Sequence, residues 1–217
     1  MTPRHRGTTA PRYHATIAIW APKGGTGKTT VTAGLGAALA ALGADVRLLD
    51  CDPQGDLSAA LGGRTTPPEV VAVPNPRHLT SYLKPGAVNL LDCPPGVTDA
   101  ALRALEACDL FLAPIGPGYF SLLSAAALVE RAEALPNPPG LLFLRSMTDR
   151  TIACRAVADE LRAAYPRHLA RTEIPRCAAL ERAHAAHLTA LEYEEGNHKG
   201  AAAFRALARE VLKRGES

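Results

Sequence analysis

The stretch Lys23-Gly24-Gly25-Thr26-Gly27-Lys28-Thr29-Thr30 decides the fold of this chain. It directly follows a short β-branched and apolar run at 16–20, which predicts a strand, and directly precedes an alanine-rich segment that predicts a helix over 28–42. Glycines allow a backbone to turn its amide hydrogens toward one point, where the N-terminus of the helix adds partial positive charge. Strand, glycine-rich loop and helix in this order therefore predict a polyphosphate-binding site.

Within this loop each residue type has its own task. The glycines form the cradle, the Lys28 side chain reaches the β and γ phosphates, and the Thr29 hydroxyl holds Mg²⁺. The predicted nucleotide-binding residues of the loop are Lys23, Gly24, Gly25, Thr26, Gly27, Lys28, Thr29 and Thr30.

Bulk composition favours one folded domain. The chain has 217 residues, of which 47% are apolar and 21% are charged, and its net charge is +3 at pH 7. This length is enough to bury a full core, and this composition excludes a disordered protein. We predict a single domain over 16–217, preceded over 1–15 by a flexible basic arm that is either solvated or in contact with nucleic acid.

Composition also argues against membrane-spanning and disulfide-stabilised proteins. The sequence contains no run of about 18 apolar residues, so it predicts no spanning helix. The five cysteines contain no C-x-x-C pair, which disfavours a disulfide framework and a zinc knuckle. Reduced thiols in a cytosolic protein are the expectation.

Apolar strand patterns alternate with helical patterns along the chain. Such alternation, with strands that are apolar throughout, predicts an α/β fold in which a mostly parallel twisted sheet carries helices on both faces. Five prolines interrupt 62–87, where we predict only a weak strand at 69–73 and a short helix at 76–83. The other strands are predicted at 46–50, 88–92, 110–114, 140–144 and 169–174, and the other helices at 99–108, 120–135, 152–164, 178–189 and 200–213.

Two aspartates follow the second strand, in Leu49-Asp50-Cys51-Asp52-Pro53-Gln54-Gly55-Asp56. Asp50 and Asp52 stand just past the carboxyl edge of a strand beside the phosphate loop, where carboxylates two residues apart face the same crevice. We predict that they act on Mg²⁺ and on the attacking water. A structural Asp-Pro turn is the alternative interpretation.

A third aspartate closes the apolar strand 88–92, in Leu90-Leu91-Asp92-Cys93-Pro94-Pro95-Gly96. A carboxylate at the end of a buried strand is costly without a partner, and the coordination shell of Mg²⁺ supplies one, commonly through water. We predict that Asp92 is the Walker B aspartate. Cys93 lacks a matching cysteine for a metal cluster, so we predict that it packs in the core.

Five sequence blocks resemble, in order, those of the ParA family of partition ATPases, within the deviant Walker A group of P-loop NTPases that also holds MinD. They are KGGTGKTT at 23–30, LLDCDPQGD at 48–56, LLDCPPG at 90–96, FLAPIGPGYFSL at 111–122 and ARTEIPR at 170–176. The resemblance runs from about Thr16 to Lys213, in a short form without an N-terminal helix-turn-helix. It implies an ATPase that uses ATP and Mg²⁺, forms a homodimer in the ATP state and binds double-stranded DNA without sequence preference. It also implies a ParB-type centromere-binding partner that stimulates hydrolysis.

The resemblance assigns roles to single residues. Lys23 is implied to reach across the dimer to the neighbour's ATP, where its charge stabilises the transition state. Asp52 is implied to be needed for hydrolysis, by positioning water. The implied catalytic residues are Lys23, Lys28 and Asp52, the implied metal site consists of Thr29, Asp50 and Asp92, and the implied adenine contacts are Pro175 and Arg176.

The DNA surface departs from the family pattern. Arg150 matches a DNA-contacting arginine of the family, and Lys199 matches a basic position near the last helix. The family often has an arginine three residues after the IPR block, where this chain has Ala179, with Arg182 as the predicted substitute. The acidic stretch at 192–195 weakens the predicted surface. Ordinary solvated helix charges are the alternative interpretation of Arg150 and Arg182.

The functional prediction is a partition ATPase in the cytoplasm, on the nucleoid, that segregates a plasmid or a chromosome. Positioning of a cargo other than DNA by the same chemistry is the first alternative. A MinD-like ATPase at the membrane surface is disfavoured, because the last helix, 204–212, resembles core and the tail 213–217 offers no apolar face. An iron–sulfur carrier is disfavoured because Cys93 and Cys108 lack the spacing of cluster ligands.

Overall fold

A seven-stranded parallel sheet forms the centre of the protein in the computed structural model, which describes residues 14–65, 67–118 and 120–215. The strands are β1 Ala15–Ile19, β2 Val46–Asp50, β3 Glu69–Ala72, β4 Val88–Asp92, β5 Leu110–Ile115, β6 Gly140–Thr148 and β7 Leu169–Pro175. They stand in the order β3-β2-β4-β1-β5-β6-β7, and every pairing among these strands is parallel. The predicted α/β fold with a mostly parallel sheet is confirmed.

Helices cover both faces of this sheet. One apolar cluster joins the sheet to helices Lys28–Ala41 and Lys199–Gly215, and a second joins its other face to helices Asp99–Ala107, Phe120–Glu133 and Ile152–Ala164. The helices of the described chain are α1 Lys28–Ala41, α2 Asp56–Ala60, α3 Leu79–Tyr82, α4 Asp99–Ala107, α5 Phe120–Glu133, α6 Ile152–Ala164, α7 Ala178–Ala185 and α8 Lys199–Gly215, with 3₁₀ turns at Pro76–His78 and Tyr193–Gly196.

Most element boundaries agree with the sequence prediction, and the ends of β6 and α7 differ most. β6 continues four residues beyond the predicted end at 144, because Arg145 forms an ion pair with Glu173 of β7 and so stays buried. The helix predicted at 178–189 ends at Ala185. Strand β1 begins at Ala15, and the remainder of the predicted arm, up to residue 13, lies outside the described residues.

Close packing fixes α8 against α1. A Cβ built on Gly34 would lie 2.4 Å from the nearest ring carbon of Phe204, so only glycine permits this approach. Phe204, Leu207 and Val211 are fully buried in this contact, which commits the apolar face of α8 to the core. Among the described residues, no helix has both the length and the apolar character needed to cross a membrane.

The strand order places the carboxyl ends of β1, β2 and β4 side by side. Asp92, at the end of β4, is aligned with Ile19 of β1 on one side and with Asp50 of β2 on the other. Ligands of open parallel sheets bind where these carboxyl ends meet. The fold therefore brings the glycine-rich loop and two of the predicted acidic residues to one edge.

Gly34→Ala should destabilise the protein, although alanine is the better helix former by about 1 kcal/mol. The added methyl group collides with the Phe204 ring, so we expect the free energy of unfolding in urea to fall by about 1–3 kcal/mol. In a Phe204→Leu background the same change should cost less. Equal costs in the two backgrounds would contradict the proposed collision.

Candidate nucleotide-binding site

The loop between β1 and α1 turns around open space. Gly25 and Gly27 have φ values of 71° and 85°, in the left-handed region that residues with a side chain rarely adopt. A Cβ added at Gly24, Gly25 or Gly27 would meet no atom within 4 Å. Helix α1 starts directly afterwards, with the Val31 amide donating to the Gly27 carbonyl at 2.9 Å. The free amides of its first turn therefore face the loop, as a phosphate site requires.

Two clefts flank the loop. The first, of about 180 Å³, lies between residues 21–26 and residues 114–118, which form the end of β5 and the turn after it. The second, of about 160 Å³, is lined by Thr30 together with Pro175 and Arg176 of the β7 end. Pro175 and Arg176 thus share a cleft with Thr30 of the phosphate loop. Binding of adenine in this cleft stays a prediction.

Asp92 is a buried carboxylate behind the loop. Its Oδ2 accepts a hydrogen bond from the Thr29 hydroxyl at 2.8 Å, and its Oδ1 accepts one from the Thr32 hydroxyl at 3.1 Å. Burial raises the pKa of Asp92 to about 7, the Asp50 carboxylate adds to the rise, and the Thr29 hydrogen bond opposes it. A nearby cation stabilises the ionised form of such a buried carboxylate.

Asp50 uses only one of its carboxylate oxygens. Oδ2 accepts hydrogen bonds from the amide and the hydroxyl of Ser58, at 2.8 and 2.6 Å, whereas the buried Oδ1 has no partner within the described chain. An orphaned oxygen beside a second carboxylate suits a hard divalent cation or its coordinated water. Thr29, Asp50 and Asp92 therefore fit the predicted Mg²⁺.

The remaining charged residues of the site differ in exposure. Lys28 is buried at the start of α1, close enough to Asp92 for its charge to lower the pKa of that carboxyl group. Lys23 is exposed and lines the first cleft. Asp52 is half-buried, and its Oδ1 accepts the Gln54 amide at 3.0 Å, as in an Asp-Pro turn. The structure thus groups Lys28 with the acidic pair and leaves Lys23 and Asp52 at the more exposed rim.

Residues that sequence reasoning missed hold the loop in place. The Ser146 hydroxyl of β6 donates to the Thr26 carbonyl at 2.7 Å. The Trp20 indole donates to the Gly96 carbonyl at 2.9 Å, and the Gly96 amide donates to the Pro22 carbonyl at 2.9 Å. The loop is therefore anchored both to β6 and to the segment after β4. The only sequence signal for the Ser146–Thr26 contact was a serine beyond the predicted end of a strand. Nothing in the sequence indicated the contacts of Gly96.

Arg150 lies in a hydrogen-bonded turn between β6 and α6. Asp149 Oδ1 accepts the amide and the hydroxyl of Thr151, at 2.9 and 2.6 Å, while the Thr151 hydroxyl caps α6 by accepting the Cys154 amide. Arg150 is exposed at the tip of this turn and forms no ion pair with any described residue. Its side chain is therefore available to a partner.

Arg182 and Lys199 belong to neighbouring helices. Arg182 is exposed on α7, and Lys199 is exposed at the first position of α8. A Cβ added at Gly200 would lie 2.7 Å from Leu180 Cδ2, so the start of α8 closely contacts α7. The Arg176 amide also donates to the Thr148 carbonyl, which links the ends of β6 and β7. The three predicted DNA contacts thus occupy adjoining elements.

The cysteines have the properties of packing residues. Burial raises the pKa of Cys51 and Cys108 to about 12 and raises that of Cys93 well above its usual value. Protonated buried thiols are poor ligands and poor nucleophiles. Within the described part of the chain, no group of three or more His, Cys, Asp or Glu side chains is arranged to hold a metal ion.

Known proteins resemble this chain along most of its length. The family model described as the CobQ/CobB/MinD/ParA nucleotide binding domain matches residues 17–190. The chain is 32% identical over 238 residues to the chromosome-partitioning ATPase Soj of Thermus thermophilus, with 91% of this chain and 95% of that protein covered. It is 33% identical over 212 residues to the maintenance of carboxysome distribution protein A of Gloeobacter kilaueensis, with 92% and 94% covered.

A solved structure supports the same assignment. The septum site-determining protein MinD of Pyrococcus horikoshii, complexed with Mg-ADP, superposes with a TM-score of 0.76 at 25% identity, covering 92% of this chain and 96% of that one. The adenine nucleotide and Mg²⁺ of that complex agree with the predicted cofactors. Because the family model spans most of the domain, the predicted family is confirmed: this chain belongs to the CobQ/CobB/MinD/ParA family of nucleotide-binding domains.

Proposed function

We propose that the chain is an ATP-hydrolysing partition protein that acts in the cytoplasm, on the nucleoid. The main support for ATP hydrolysis is that Thr29, Asp92 and the unpartnered Oδ1 of Asp50 lie together behind the glycine-rich loop. The partition role is supported by the similarity to the chromosome-partitioning ATPase Soj, which extends over 91% of this chain. A plasmid or a chromosome is the proposed cargo.

The proposed reaction uses the site as follows. The loop amides and the N-terminus of α1 bind the phosphates, and Lys28 offsets their charge. Thr29, Asp50 and Asp92 would hold Mg²⁺, which would supply positive charge to neutralise the phosphate oxygens. The second oxygen of Asp52 forms no hydrogen bond with any described residue, and in our proposal it orients the attacking water.

The ATP state is proposed to be a homodimer that binds duplex DNA without sequence preference. Lys23 is exposed beside the first cleft and forms no ion pair with a described residue, so its ammonium group is free to enter the site of a second copy. Arg150, Arg182 and Lys199 supply the positive charge for the DNA backbone. A ParB-type partner stimulates hydrolysis, which releases the DNA.

Positioning of a protein compartment is the second candidate function. It is favoured by the 33% identity to the carboxysome distribution protein, which equals the similarity to Soj within one percentage point. The nucleotide chemistry is the same in both cases. The two functions differ in what is lost or misplaced when the gene is deleted, either DNA or a protein assembly.

Asp92→Asn should stabilise the metal-free protein while abolishing Mg²⁺-dependent hydrolysis. Burial raises the Asp92 pKa from 3.8 to about 7, so the folded state retains a proton in this window that the unfolded state releases. Wild-type stability must therefore fall as pH rises through the window. In EDTA, we expect Asp92→Asn to raise Tm by more at pH 8 than at pH 5. Asp159→Asn, at an exposed site on α6, is the control, and an equal gain at both pH values would contradict the assignment.

Arg150→Ala should weaken DNA binding by the ATP state. Binding of a nonspecific duplex is measured with a nonhydrolysable ATP analogue, with ADP and without nucleotide, across a salt series. Loss of one phosphate contact should lower the slope of log K against log salt by about 1. Arg103→Ala, at an exposed site on α4, is the matched control. Wild-type binding that ignores ATP or salt would overturn the DNA-binding proposal.

Lys23→Ala should abolish hydrolysis and leave ATP binding largely intact, because the proposed target of Lys23 lies in the other subunit. Lys28→Ala, in contrast, should lose nucleotide binding. Mixing Lys23→Ala with Asp52→Ala should restore part of the activity, since each mixed dimer pairs an intact Lys23 with an intact Asp52 in one site. Hydrolysis by Lys23→Ala at the wild-type rate, or no recovery on mixing, would exclude action in trans.

A further inference from the structure

Helix α2 lies between the nucleotide site and the segment that joins α7 to α8. On one side, Ser58 donates both its amide and its hydroxyl to Asp50. On the other side, the Ala59 carbonyl accepts a hydrogen bond from His187 Nδ1 at 2.9 Å. Just beyond the helix, a Cβ added at Gly62 would lie 3.4 Å from the Cβ of His187. One short helix thus contacts both regions through adjacent residues.

An ion pair joins the loop after α2 to the same α7–α8 segment. Arg64 Nη1 and Nη2 donate to the two carboxylate oxygens of Glu192, at 2.9 and 2.6 Å. Glu192 also accepts the Thr189 amide at 2.8 Å. The hydrogen bond from Arg64 holds the pKa of Glu192 down at about 2, so the pair stays charged at physiological pH. A bidentate pair fixes orientation as well as distance.

The segment reached by these contacts has a strained backbone. His187, Glu194 and Glu195 have φ values of 55°, 48° and 54°. Left-handed conformations of such residues persist only where the surroundings enforce them. Here the contacts of His187 and Glu192, together with the hydrogen bond from Arg205 to the Gly196 carbonyl at 2.9 Å, do so. The segment leads from α7, which carries Arg182, to α8, which begins at Lys199.

We propose that α2 and the Arg64–Glu192 pair link the nucleotide site to the DNA-binding surface and set how strongly ATP favours DNA binding. The linking set, called the α2 clamp below, consists of Ser58, Ala59, Arg64, His187 and Glu192. A ligand that engages Asp50 alters the position of Ser58, and the clamp conveys this change to the segment between Arg182 and Lys199. Arg64 and Glu192 are positioning residues in this scheme, because they touch neither ATP nor DNA. The inference rests on the proposed function.

Linkage makes the proposal quantitative. If ATP increases the affinity for DNA by some factor, DNA must increase the affinity for ATP by the same factor. Such factors are typically about 5–150-fold. The α2 clamp is the physical connection that this factor requires, so breaking it should lower the factor in both directions while each ligand still binds.

The test uses charge reversal in the full chain. Arg64→Glu and Glu192→Arg change the net charge in opposite directions, so any general effect on DNA affinity has opposite sign in the two variants. The clamp instead predicts the same result for both, at least a 5-fold loss in the ratio of DNA affinities with an ATP analogue and with ADP. The double variant Arg64→Glu/Glu192→Arg restores the ion pair and should recover the ratio.

A second ion pair provides the matched control. Lys84 and Asp45 are 2.7 Å apart at the amino edge of the sheet, away from the nucleotide site. Lys84→Glu and Asp45→Arg make the same charge changes as the clamp variants and should leave the ratio unchanged. If a clamp reversal fails to fold, Arg64→Gln and Glu192→Gln remove the pair without placing like charges together.

Hydrogen exchange separates the two proposals. Amide exchange over 187–198 should change when ADP is replaced by the ATP analogue, and this change should shrink in both single reversals, without any DNA present. No change in the wild type, or an unaltered ratio in the single variants, or no recovery in the double variant, would overturn the clamp. Absence of ATP-dependent DNA binding in the wild type overturns the proposed function instead, whatever the exchange data show.

Discussion

The site depends on one physical constraint, the burial of two carboxylates at adjacent strand ends. Asp50 and Asp92 are aligned across β2 and β4 and are 3% and 1% exposed. Like charges side by side in an apolar environment are costly, and donors from Thr29, Thr32 and Ser58 offset only part of this cost. One oxygen of Asp50 is left without a donor. The arrangement therefore favours a cation behind the phosphate loop, and it makes the position of α2 depend on the occupant of the site.

Contiguous apolar runs made most of the sheet predictable. The strands at 46–50 and 88–92 match their predicted bounds, because both are apolar except at Arg47 and Asn89 until a closing aspartate. The end of β6 was not predictable, since Arg145 and Ser146 break the apolar pattern, and their partners, Glu173 of β7 and the Thr26 carbonyl, are distant in sequence. Helix α2 was missed because five residues after a glycine are too few to show helical periodicity.

The residues of the site likewise fall into two groups, those predictable from local sequence and those that depend on contacts distant in sequence. Residues of the loop and of the acidic strand ends were predictable because each motif is contiguous and its chemistry is carried by residue type. The anchors of the loop were not, since Ser146 lies 120 residues from Thr26. The acidic stretch 192–195 is a second case in which a distant partner could not be predicted. From the sequence alone, Glu192 is interpreted as a free charge near the DNA surface. Its carboxylate is instead paired with Arg64, 128 residues earlier, so the net acidity there is lower than the sequence suggests.

Backbone strain explains why the α7–α8 segment suits a role in coupling. Each left-handed residue of the kind found at His187, Glu194 and Glu195 costs on the order of 1–3 kcal/mol. This cost is of the same order as a typical allosteric coupling energy of about 1–3 kcal/mol. The body of α8 is held by close packing of Phe204 on Gly34, whereas the segment before it depends on a few polar contacts. Movement of α2 by a bound nucleotide would therefore change the segment between Arg182 and Lys199 and leave the core packing of α8 undisturbed.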